Sequence, residues 1–184
     1  YREREELPRA NTGQAVVLTV EPLSCTAKIT TSVREIEKGD HAEALAMIGK
    51  AVSLDDSSAL FHVSRALMYL PFQRYQEALA DLDRAVELEP DMIAARFNRG
   101  SLHAQLEQYD LALMDFDRCI AVDPHLPAPY FNRGSVRYSL GMKEQAVSDI
   151  EHFIELSDNA AWKQSAQQLL QAWQEKEKQA GATP

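Results

Sequence analysis

Apolar side chains recur along this chain at helical spacing. Ala112, Leu113, Phe116, Cys119 and Ile120 follow the i, i+4, i+7, i+8 rhythm that lines one face of an α-helix. Comparable stripes run through the rest of the sequence and predict helices throughout. Breaks interrupt them at Gly39-Asp40, at Pro71-Phe72 and at Gly141, where glycine or proline disfavours a continuing helix. Further breaks follow "AVSLDD", "AVELEP", "CIAVDP" and "FIELSD", which end at Asp56, Pro90, Pro124 and Asp158. These marks are 34 residues apart, and one more step back reaches Pro22.

The period carries chemistry as well as punctuation. With each unit numbered from 1 to 34, position 20 is Ala44, Ala78, Ala112 and Ala146, and position 8 is Ser32, Ala66, Gly100 and Gly134. Position 24 is bulky and apolar, as Ile48, Leu82, Phe116 and Ile150; position 27 is Ala51, Ala85, Cys119 and Phe153. Small residues at fixed points let two helix backbones approach, and the large residue fills the space beside them. Each unit is therefore expected to be a helix–turn–helix hairpin. The tetrapeptide Phe-Asn-Arg-Gly occurs twice in register, at 97–100 and 131–134. Arg at position 7 and Asp at position 23 occur together as Arg65/Asp81, Arg99/Asp115 and Arg133/Asp149; the first unit has Thr31 and Met47 instead. This joint presence and absence favours an ion pair within each hairpin, or a ladder between hairpins, over an arginine clamp for an acidic partner.

The stretch "FNRGSLHAQLEQYDLALMDFDRCIAVDP", with Gly100, Tyr109, Ala112, Phe116 and Pro124, resembles the tetratricopeptide repeat family. The resemblance implies an all-α, right-handed superhelical solenoid of antiparallel hairpins. The expected units are a degenerate repeat at 25–58 and further repeats at 59–92, 93–126 and 127–160. A capping helix and polar tail take 161–184, with Asp158 or Asn159 as N-cap and a stripe of Ala161/Trp162, Ala166, Leu169, Leu170 and Trp173. Residues 1–24 read either as a degenerate half-repeat ending at Pro22 or as an alternating, strand-like segment.

In this family the first helix of each unit lines a concave groove that binds a peptide or helix of a partner protein. Carried over by unit position, the groove would hold Leu60, Val63, Ser64 and Leu67; Phe97, Asn98, Ser101 and Gln105; and Phe131, Asn132, Ser135 and Tyr138. Ile29, Val33 and Leu70 extend it. Asn98 and Asn132 match the asparagine that bonds a bound peptide's backbone, a task an amide suits because it both donates and accepts. The competing readings are asparagines that bind nothing, and a groove covered by the N-terminal segment or the cap helix. The family's basic clamp for chaperone C-termini is matched at no more than one of five positions, Asn98, so that type of partner is disfavoured. The expected function is an interaction module or adaptor. A structural or assembly subunit, docked through its edges or its C-terminal helix, is the alternative, favoured by an exposed Trp173 and the half-repeat.

Composition adds mainly exclusions. With 28 Asp and Glu against 19 Lys and Arg, the net charge is −9. No basic stripe offers the clustered cations that phosphate backbones need, so no nucleic-acid partner is expected. Cys25 and Cys119 are too few for a disulfide framework. No apolar run is long enough to insert in a bilayer, and no hydrophobic targeting core is evident, which leaves a cytoplasmic location as the default expectation. His41, His62, His103, His125 and His152 are scattered without metal-ligand spacing. No glycine-rich phosphate loop is present. Neither a cofactor nor an enzymatic activity is expected.

Overall fold

The computed structural model describes residues 38–181. The expected half-repeat at 1–24, the first helix of the 25–58 unit and Ile29, Thr31, Ser32 and Val33 lie outside those residues. The helices are α1 (Lys38–Leu54), α2 (Ala59–Tyr69), α3 (Tyr75–Leu88), α4 (Ile93–Gln105), α5 (Tyr109–Val122), α6 (Pro127–Ser139), α7 (Lys143–Leu156) and α8 (Ala160–Gly181). A single 3-10 turn, Leu70–Phe72, follows α2. Helices α2 and α3, α4 and α5, and α6 and α7 pack as hairpins, each packs on the next, and α8 closes the row on α7. The first helices also touch in succession, α2 with α4 and α4 with α6. That contact places them side by side as one layer of an all-α solenoid.

Local chemistry sets the ends. Ser58 Oγ accepts the Phe61 amide at the start of α2, and Asn159 Oδ1 accepts the amides of Ala161 and Trp162 at 3.0 and 3.1 Å, making it the N-cap of α8. Pro127 opens α6, where a missing N–H costs nothing. The turn inside each hairpin passes through the left-handed region at one register position: Gln73 (φ 56), Glu107 (φ 60) and Gly141 (φ 79). Only the last is a glycine; the turn at Gln73 was marked in sequence by the adjacent Pro71-Phe72, and the one at Glu107 by nothing. Gly39 and Asp40, expected to interrupt a helix, lie in the first turn of α1.

The fixed small and large positions meet as expected in the three hairpins from α2 to α7. Ala78, Ala112 and Ala146 are fully buried, as are Leu82, Phe116 and Ile150. Gly100 and Gly134 lie so close to the facing helix that a Cβ would sit 3.0 Å from Phe116 Cε1 in one case and 3.0 Å from Asp149 Cβ in the other. In α1 the pattern weakens: Ala44 and Met47 are exposed, and the helix expected to oppose them falls in residues outside the description.

Arg and Asp form both of the structures considered from sequence, the pair and the ladder. Asp81, Asp115 and Asp149 are 4%, 1% and 4% exposed. Each accepts two bonds from its own unit's arginine: Arg65 at 2.7 and 2.5 Å, Arg99 at 2.7 and 2.7 Å, Arg133 at 3.0 and 2.6 Å. Arg99 and Arg133 then reach back one unit, to Asp83 at 2.8 Å and Asp117 at 2.6 Å. Arg65 has no such rung, because Gly49 stands at the register of Asp83 and Asp117. A further donor completes each carboxylate: His62 on Asp81, Arg96 on Asp115 and Arg137 on Asp149. The bond to Asp115 holds the Arg99 guanidinium well above its ordinary pKa. Burial pulls Arg133 down, but Asp149 and Asp117 outweigh it and the net shift is upward. With each arginine matched by carboxylates of its own, the clamp reading has nothing left to bind with.

Candidate functional site

The inner layer of α2, α4 and α6 carries the sequence-predicted groove residues, and the structure sorts them into three groups. The first faces solvent or is half-buried along the layer: Leu60, Ser64, Leu67, Phe97, Asn98, Ser101, Gln105, Phe131, Asn132 and Ser135. Several are tied to the scaffold. Ser64, Ser101 and Ser135 donate to the carbonyls of Leu60, Phe97 and Phe131 at 2.8–2.9 Å, each bonding back to its own helix. Gln105 donates to the Tyr75 hydroxyl at 3.1 Å. Phe97 packs against Phe116 and Phe131 against Phe153, with ring centroids 6.0 and 5.1 Å apart.

Val63 and Tyr138 depart from the expectation. Val63 is 4% exposed and belongs to the core with Ala59, Ala66 and Leu82. Its position points at the seam between the two helices of a hairpin. A short β-branched side chain is enclosed there, whereas the longer rings of Phe97 and Phe131 reach out past it. Tyr138 is stacked on Trp173 of α8, centroids 4.0 Å apart and planes within 4°. Trp173, expected to be exposed, is 8% exposed. The cap helix thus covers Tyr138 and packs beside Phe131, which is the kind of cover that one competing reading foresaw.

Two hollows open on what remains. One, of about 290 Å³, lies between α4 and α6 and is lined by Ser101, Ala104, Tyr109, Asn132, Ser135, Val136 and Ser139. The other, of about 240 Å³, lies between α6 and α8 and is lined by Ala128, Phe131, Asn132, Phe153, Trp162 and Ser165. Asn132 borders both. Its Nδ2 donates to Ser101 Oγ at 3.0 Å, an inter-helix bond that fixes the amide, and its Oδ1 has no partner among the described residues. Asn98 is different: its Nδ2 donates to the Ala94 carbonyl at 2.7 Å, one turn back, and it lines neither hollow.

Trp162 is the candidate-site residue that sequence reasoning missed. It was grouped with the apolar stripe of α8, and it is 50% exposed and forms a wall of the second hollow. Its position in the first helical turn, immediately after the Asn159 cap, carries it beyond α7 and toward Ala128 at the start of α6. The presence of a bulky aromatic so close to an N-cap was the available signal.

The described residues place no group of three His, Cys, Asp or Glu side chains where it could hold a metal ion. Cys119 is buried, its Sγ 3.8 Å from the Ile93 carbonyl. No helix among the described residues is long and apolar enough to cross a membrane.

Comparison with known proteins agrees with the fold. Three tetratricopeptide repeat models match the chain, over residues 34–92, 65–128 and 128–159. No curated protein sequence matches it significantly. Among solved structures, one of MamA is 19% identical with a TM-score of 0.62, over 78% of this chain and 93% of that one. The first TPR domain of human RPAP3 is 25% identical with a TM-score of 0.58, over 65% of this chain and 95% of that one. An RPAP3 domain bound to the HSP90 peptide SRMEEVD is 24% identical over the same shares, also at 0.58. From the 34-residue period through the stacked hairpins to the models matched across residues 34–159, the chain belongs to the tetratricopeptide repeat family.

Proposed function

We propose that this chain is a protein-interaction module whose inner face, along α4, α6 and the start of α8, binds a segment of a partner protein. The observation that carries the reading is Asn132. Its Nδ2 is bonded to Ser101, its carbonyl oxygen has no partner among the described residues, and it stands between two hollows of side-chain size. An extended segment laid across it would donate a backbone N–H to Oδ1 and drop side chains on either side. An amide that reads main chain in this way accepts many sequences, so the hollows would supply the selectivity. Because Asn132 is already oriented, little entropy is lost when it binds. A fold relative seen with a peptide, the RPAP3 domain, supports a protein segment as the class of ligand.

Affinity capture from source lysate tests the reading with three forms of the chain. A partner held by the native chain is expected to be lost by Asn132→Ala/Trp162→Ala and kept by Met114→Glu. Met114 is 67% exposed on the second-helix side. The opposite pattern, loss by Met114→Glu alone, would place the site on the outer layer.

A further inference from the structure

The charge pattern around the proposed groove narrows its partner, and we infer that the bound segment is non-acidic: a bulky apolar side chain flanked by Lys or Arg. This rests on the groove reading above. No side chain lining either hollow is charged. A carboxylate brought there would lose part of its water and gain no counter-charge. The hollow between α6 and α8 has apolar walls from Phe131, Phe153 and Trp162, which suit a bulky apolar side chain beside the Asn132 amide.

The rim supplies the sign. The turns that lead into α2, α4, α6 and α8 all fall on one edge of the stack, because these helices run the same way. They carry Asp55 and Asp56, Glu89 and Asp91, Asp123, and Asp158. Arg84 pairs with Asp56 and Arg118 with Asp91; Arg99, Arg133 and Arg137 are turned inward to Asp115 and Asp149, and Arg96 is shared between Asp115 and the Pro90 carbonyl of the rim. The cations of the inner layer are thus already used, and the rim keeps an excess of carboxylates. Ala128 and Trp162 sit in the first turns of α6 and α8, so the apolar hollow opens beside the turns that hold Asp123 and Asp158. Lys163 offers one positive charge against them. The partial positive charge at the α8 N-terminus is largely taken up by Asn159. A basic residue next to the anchoring side chain would meet a favourable field, one that also speeds encounter.

Selection of random twelve-residue linear peptides from a display library on the full chain tests this. Selected peptides are then synthesised and their affinity measured by fluorescence anisotropy on three forms. These are the native chain, the groove variant Asn132→Ala/Trp162→Ala, and the rim variant Asp123→Asn/Asp158→Asn, each matched for helicity by circular dichroism. The expected peptides carry Phe, Leu or Trp with Lys or Arg and few acids. Their affinity should fall about tenfold or more on the groove variant, about threefold or more on the rim variant, and about tenfold between low and high salt. Peptides lost on the groove variant but acidic, or indifferent to salt and to the rim variant, would overturn this inference and leave the groove reading standing. Peptides indifferent to the groove variant, or an empty selection, would overturn both.

Discussion

Replacing Asp115 by alanine is expected to cost the fold about 3 kcal/mol, and the figure can be built from its surroundings. The carboxylate is almost wholly buried and accepts three charge-assisted bonds, two from Arg99 at 2.7 Å and one from Arg96 at 3.1 Å. Removing one partner of a buried ion pair costs about 3–5 kcal/mol, because the other charge is stranded. Three features lower that figure here. The two guanidinium groups are still 18–19% exposed, Arg99 keeps its 2.8 Å bond to Asp83, and alanine is the better helix former by about 0.5 kcal/mol. The Cβ that packs against Gly100 is retained, so no cavity is opened at the backbone contact. Urea, being uncharged, is the suitable denaturant, with helicity followed at 222 nm. A loss of about 3 kcal/mol corresponds to roughly 6–12 °C in Tm for a chain of this size. The double variant with Arg99→Met should lose at least about 1 kcal/mol less than the sum of the singles, since it removes the stranded charge along with its partner. A loss below about 1 kcal/mol for Asp115→Ala, or strict additivity, would refute the ladder as a source of stability.

Gly49→Asp is expected to install the missing rung beneath Arg65, stabilising by about 0.5–1 kcal/mol in the same urea titration; the site is open, with no atom within 4 Å of a new Cβ. Gly141→Ala should destabilise by about 1 kcal/mol through its φ of 79° alone, again with open space around it, while Glu107→Gly (φ 60) should stabilise by up to about 1 kcal/mol. Matched thermal melts would show both signs. Trp173→Ala removes the stack on Tyr138 and should cost about 3 kcal/mol or more. It should also loosen α8, so that limited proteolysis cuts within 160–181 well before the rest of the chain.

The solenoid was legible in the sequence because each unit obeys one set of packing constraints, and the 34-residue register exposes them: an alanine at position 20 and a bulky neighbour at 24 have no reason to recur unless the same two helices meet again. The Arg and Asp partnership was legible for the same cause, as joint presence and joint absence. The second rung was not, since Asp83 and Asp117 look like ordinary solvated residues until the units are stacked. Glu107 was invisible as a turn point, and Gln73 was signalled only by the neighbouring Pro71-Phe72, because tertiary packing holds an unfavourable backbone at both without a glycine to mark it. On the first-helix layer, register assigned the positions but not what happens at each of them. Whether a residue at position 5 protrudes depends on side-chain length, hence Val63 inside and Phe131 reaching out. Whether Tyr138 is free depends on a helix that lies outside the repeat and follows no register.

The central claim, that a partner segment lies across α4, α6 and the start of α8, is tested most directly by site-specific photo-crosslinking. A photoreactive amino acid would replace Ser139 or Trp162, both exposed and each bordering one hollow, or Met114 on the opposite side as comparison. The account predicts adducts in source lysate from positions 139 and 162, lost when Asn132→Ala is added, and none from 114. Adducts from 114 alone, or adducts at 139 and 162 that survive Asn132→Ala undiminished, would contradict it.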